Sequence, residues 1–143
     1  MSLSKGQLTM KQVTEICKAH YDQKNLEHAD RVWHYVTTMG IIPPEFWEDC
    51  EYLALMHDLL EDTDYTGEDL PLDFLEALKF LTKPKDMKYT EYCKKLRPGY
   101  HATDAQRCAY YVKIADMKDH LAQTETLTDR LKKKYLEGLA ELL

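Results

Sequence analysis

Glycine and proline are scarce in this 143-residue chain, at five each. So few breakers exclude a fold of many short strands and turns, and they leave room for several long helices. The four cysteines, at 17, 50, 93 and 108, form no Cys-x-x-Cys pair, which excludes the common zinc and thiol-redox spacings. Each has apolar neighbours, as Cys17 beside Ile16 and Cys108 beside Ala109, and reads as a buried free thiol of a cytoplasmic protein. No apolar run approaches the roughly 20 residues that span a bilayer. The opening Met-Ser-Leu-Ser-Lys-Gly has no signal-peptide core. A basic excess is missing too, since 25 acidic residues face 19 basic ones for a net charge of -6. That balance carries no electrostatic footprint for a nucleic-acid duplex or an anionic membrane. An anionic substrate would need a cation to mediate.

What is present is helical period. Hydrophobic residues make up 44% and charged residues 31% of the chain, the composition of one globular domain spanning residues 1–143. A first helix over about 9–21 places Val13, Ile16, Cys17 and His20 on one face. A second, over about 26–39, aligns His28, Val32, Tyr35, Val36 and Met39, with Gly40 as its C-terminal cap. Pro44 suits the first turn of a third helix that carries Phe46, Cys50, Leu53, Ala54 and His57. Further helices are expected from Leu70-Pro71, over 105–120 and from Leu127 to the end, with a short segment over 89–96 before the Arg97-Pro98-Gly99 turn. No segment alternates with period two for long enough to form a strand. The predicted class is all-α.

Six histidines stand at 20, 28, 34, 57, 101 and 120. His57-Asp58 follows the apolar Leu53-Ala54-Leu55-Met56 and precedes Glu61 and Asp62. On a continuous helix, His57 would stack over Glu61 and Asp58 over Asp62. Four ionisable groups at a core edge are costly without a compensating cation. His28 lies on the apolar side of the second helix, and Asp116 continues the buried stripe of Val112. One His, one His-Asp pair and one Asp from three helices make a ligand set of two imidazoles and two carboxylates for a divalent metal.

These residues resemble the HD-domain metal-dependent phosphohydrolase superfamily, named for its His…His-Asp…Asp ligands. Ala54-Leu55-Met56-His57-Asp58-Leu59-Leu60-Glu61-Asp62-Thr63 is similar to the His-Asp-x-x-Glu-Asp-Thr signature of guanosine tetraphosphate hydrolase domains of RelA/SpoT-type enzymes and their small stand-alone relatives. Val112-Lys113-Ile114-Ala115-Asp116 is similar to their Val-Lys-Leu-Ala-Asp, Ala19-His20-Tyr21-Asp22-Gln23 to their Ala-His-x-x-Gln, and Leu81-Thr82-Lys83 to their Leu-Thr-Arg/Lys. The motifs span about residues 19–120, with a C-terminal packing helix over about 127–143.

The resemblance implies a single HD domain built as a bundle of about six to eight helices. It also implies one divalent ion, typically Mn2+, held by His28, His57, Asp58 and Asp116. Members with two metals carry extra histidines between the His-Asp pair and the last Asp, where only His101 stands here. Glu61 and Asp62 would be the acid/base pair that handles the attacking water. The expected partner is a small phosphorylated nucleotide, with Lys24, Asn25, Lys113 and His120 as candidate substrate contacts. Three departures bear on specificity, one being that the family's Asp-Arg reads Asp116-Met117 here. Lys24-Asn25-Leu26-Glu27 is all that remains of the family's nucleotide-binding loop, and His120 replaces an asparagine four positions after the last Asp. The implied reaction is hydrolysis of a phosphate ester or pyrophosphate, like that of guanosine tetraphosphate hydrolases but with relaxed base preference. A 5′-nucleotide monophosphatase and a non-catalytic nucleotide-binding module are the alternatives.

Overall fold

A polar side chain starts each of the four longest helices. Among residues 2–143, which the computed structural model describes, the order is α1 (Met10–His20), α2 (Gln23–Thr38), α3 (Trp47–Met56), α4 (Leu59–Asp62), α5 (Leu72–Phe80), α6 (Tyr89–Leu96), α7 (Asp104–Ala122) and α8 (Asp129–Leu142). Thr9, Asp22, Thr103 and Thr128 cap α1, α2, α7 and α8 by accepting a backbone N–H of the first turn. No strand occurs among the described residues, so the chain is all-α. None of its described helices is long and apolar enough to cross a membrane.

The central element is α7, which packs against α2, α3, α5, α6 and α8. Surrounded in this way, it buries Cys108, Val112, Ile114, Ala115 and Met117, and with them the charged Lys113, Asp116 and Asp119. Buried charges need partners or a cation. All four cysteines are buried and free.

Several expected boundaries move. Lys24 and Asn25 do not form a loop; they lie in the first turn of α2, because the Asp22 carboxylate accepts the Asn25 N–H at 2.8 Å and starts the helix early. Gly40 does end α2, in the left-handed region at φ 73°. A 3₁₀ turn over Pro44–Phe46 precedes α3. His20, expected on the apolar face of α1, is exposed, with its ring against Tyr65 and Nδ1 3.4 Å from Asp64.

Two tight contacts anchor the periphery. The buried Asp49 of α3 accepts from the Ser2 hydroxyl at 2.9 Å and the Leu3 N–H at 2.7 Å, tying the start of the chain down. Gly138 lets α8 approach α6 and α7 closely: a Cβ there would stand 2.6 Å from Tyr89 Cε2 and 2.7 Å from Met117 Cε.

Candidate metal centre

The third helix does not continue through His57-Asp58 as expected. It stops at Met56, and α4 restarts at Leu59. The cause is a competition for one carbonyl. In an unbroken helix the Asp58 N–H would donate to the Ala54 oxygen. Here His57 Nδ1 takes that oxygen at 2.7 Å. The displaced Asp58 N–H donates instead to the Tyr21 hydroxyl at 3.1 Å. The break turns both side chains inward against α2 and α7.

A carbonyl oxygen only accepts, so His57 carries a proton on Nδ1 and a neutral ring presents a bare Nε2. Asp119 fixes the same tautomer in His28, whose Nδ1 donates to Asp119 Oδ2 at 2.6 Å. The two Nε2 atoms then face each other at 3.2 Å. Asp116 Oδ1 lies 2.9 Å from His28 Nε2 and 3.4 Å from His57 Nε2. Asp58 Oδ2 lies 3.2 Å from His57 Nε2 and 3.6 Å from His28 Nε2. With both imidazoles neutral, every inward atom of this cluster is a lone-pair donor. It calls for a proton or a cation at its centre. The four residues come from α2, the α3–α4 break and α7, and two overlapping groups, His28 with His57 and Asp58, and His28 with Asp116 and His120, each bring ligand atoms within 4.8 Å of one another and could hold a divalent ion.

The charges of the cluster are interdependent. Burial lowers the His57 imidazole, but Asp58 and Asp116 outweigh it and raise it well above the usual histidine range. The same contest, with Asp116 as the main opposing partner, raises His28. Burial pushes Asp116 up, yet Lys113 and His57 hold it well below the usual carboxylate range. Asp58 is lowered, chiefly because His57 overcomes the effect of burial.

The other expected site residues divide. Lys113 is buried, with Nζ 3.0 Å from Asp116 Oδ2 and the Tyr89 and Tyr92 rings each 5.5 Å away. Its charge is therefore engaged by the candidate ligand and is not offered as an open substrate contact. Glu61 and Asp62 sit on α4, directly after the helix break, both exposed. Glu61 Oε2 accepts the Lys83 N–H at 3.1 Å. Burial, Asp58 and Glu61 together raise the Asp62 carboxyl. His120 Nε2 reaches Asp116 Oδ1 at 3.1 Å. Lys24 lines a cleft of about 380 Å³ that opens on His28 and His120 and is walled by Arg31, Leu131 and Tyr135. Asn25 has its backbone committed to the start of α2.

Asp119 and Arg31 were not anticipated. Asp119 is fully buried and joins His28 to Arg31, whose Nε donates to Oδ1 at 2.8 Å. The available signal was spacing: Asp119 follows Asp116 by three positions, as Arg31 follows His28, so each pair shares a helix face.

No family model, curated protein or solved structure matches the chain.

Proposed function

We propose that the protein is a metal-dependent phosphohydrolase of the HD type, which hydrolyses a phosphate ester or pyrophosphate of a nucleotide with Mn2+ as its cation. One observation carries this reading: two imidazole Nε2 atoms 3.2 Å apart converge with the carboxylates of Asp58 and Asp116. A bound divalent cation supplies Lewis acidity toward a phosphoryl oxygen and makes water a better acid. His28, His57, Asp58 and Asp116 hold it, and Asp119 orients the His28 ring.

Glu61, steadied by the Lys83 N–H, accepts the proton of the attacking water. Asp62, whose carboxyl keeps its proton to higher pH than usual, donates one to the leaving oxygen. Lys24 and Arg31, in the adjoining cleft, meet the phosphates. Lys113 offsets one carboxylate of the metal shell. The short start of α2 provides few donors to fix a particular base, so base preference is relaxed. A missing hydrogen-bond pair relaxes discrimination by about 1–3 kcal/mol.

The test is a panel of guanine and adenine nucleotides bearing the same phosphates, incubated with Mn2+-reconstituted protein while phosphate and pyrophosphate are measured. The proposal expects release from both bases, with a preference below about a hundredfold, or roughly 2.7 kcal/mol. Release from 5′-monophosphates alone would narrow the activity to a monophosphatase. Binding without release would make the protein a nucleotide-binding module.

A further inference from the structure

We infer that His120 is a third imidazole ligand of the cation held by His28, His57, Asp58 and Asp116, with Tyr135 of α8 holding its ring in place. The inference rests on the metal-dependent reading above. His120 lies one turn beyond Asp116 on α7, so the two side chains share a face. Its Nε2 stands 3.1 Å from Asp116 Oδ1, the oxygen that also lies 2.9 Å from His28 Nε2. Ligand atoms of His28, Asp116 and His120 all fall within 4.8 Å of one another, a group that shares His28 with the group of His28, His57 and Asp58. Neighbouring donors at right angles on one ion, with bonds of about 2.1 Å, lie about 3 Å apart. The observed spacings match that figure.

The ring is also held from outside the cluster. It stacks on Tyr135, with centroids 4.4 Å apart and planes 6° apart, and meets the His28 ring at 4.7 Å. Those contacts orient His120 through its faces and leave Nε2 to the site. Charge favours this donor as well. A neutral imidazole adds a ligand without a third negative charge, so a divalent ion with two carboxylates and Lys113 keeps one net positive charge for a phosphate. The ring remains 35% exposed, so it can be replaced at little cost to the core.

The experiment compares wild type, His120→Asn, Tyr135→Leu, Tyr135→Phe and His57→Ala, each loaded with Co2+ or Mn2+. It reads cation affinity against a chromophoric chelator, the visible Co2+ spectrum, and cation-free melting. An asparagine amide can still donate to Asp116 but is a poor metal ligand. His120→Asn should bind about 10- to 100-fold more weakly, with an altered Co2+ spectrum and little change in cation-free melting. Tyr135→Leu should move affinity and spectrum the same way by less, and Tyr135→Phe, which keeps the stack, should restore both. Wild-type affinity and spectrum in His120→Asn would reduce the residue to a hydrogen-bond donor and overturn the inference, while loss of binding in His57→Ala would leave the metal reading standing. If wild type itself held no cation, both would fall.

Discussion

Tyr21 and Asp58 meet across 37 positions of sequence, the phenol oxygen accepting the Asp58 N–H at 3.1 Å. That bond repairs the helix break which turns His57 and Asp58 toward α2 and α7. Tyr21→Phe should therefore leave a partly buried amide without its partner, at a cost of about 1 kcal/mol. Urea unfolding would measure it, and cation affinity should fall in the same variant because Asp58 loses its fixed backbone. A variant as stable as wild type would mean that water satisfies the Asp58 N–H in place of the phenol.

The second prediction concerns pH. His28 and His57 are raised in the cation-free fold. A raised histidine stabilises fully below its unfolded value of about 6.5. That contribution is lost as pH rises through the folded value. A cation competes with these protons for the same Nε2 atoms. The gain in melting temperature on adding Mn2+ should thus be small near pH 5.5 and grow toward about pH 8. Asp58 and Asp116, both lowered, stay charged throughout this range. A gain that is flat with pH would place the ion elsewhere.

Glu61→Gln keeps an oxygen for the Lys83 N–H but removes the proton acceptor. Turnover should drop by about 10²-fold or more while cation content stays unchanged. Activity near wild type would shift the base role to Asp62.

Much of this organisation was legible in the chain, and the reasons for the exceptions are physical. The short segment expected over 89–96 is the helix α6, and its end is set locally by Arg97-Pro98-Gly99. The same is true of the end of α2 at Gly40. His28, His57, Asp58 and Asp116 were expected together, and the structure brings them within hydrogen-bonding distances. The helix break was not legible, since a side chain that takes its own helix's carbonyl leaves no mark on the apolar period, and the hydroxyl that receives the freed Asp58 N–H lies 37 positions away. The early start of α2 was missed because Lys24 and Asn25 are polar and exposed or half-exposed, so they carry no apolar period, although Asp22 was a visible cap. Lys113, expected as a substrate contact, is instead closed in by Asp116 and by two tyrosine rings that only the packing of α6 and α7 brings to it.

Gly138→Ala tests how α8 is docked. Tyr89 and Met117 leave no room for the added methyl, so overpacking should cost about 1–3 kcal/mol. In a chain of this size each kcal/mol lowers melting by about 2–4 °C. Unchanged melting would show that the Tyr89 ring and the Met117 terminus can step aside.

The tie between Asp49 and the opening residues bears on exchange with solvent. Backbone amides in terminal segments ordinarily trade hydrogen for deuterium at once, because nothing holds them. The Leu3 amide is buried 2.7 Å from Asp49 Oδ2, on the first turn of α3, and exchanges only when that bond opens. Deuterium uptake at Leu3 and Ser4 is therefore slowed by their bonds to Asp49, and its rate reads how firmly these residues stay docked on α3.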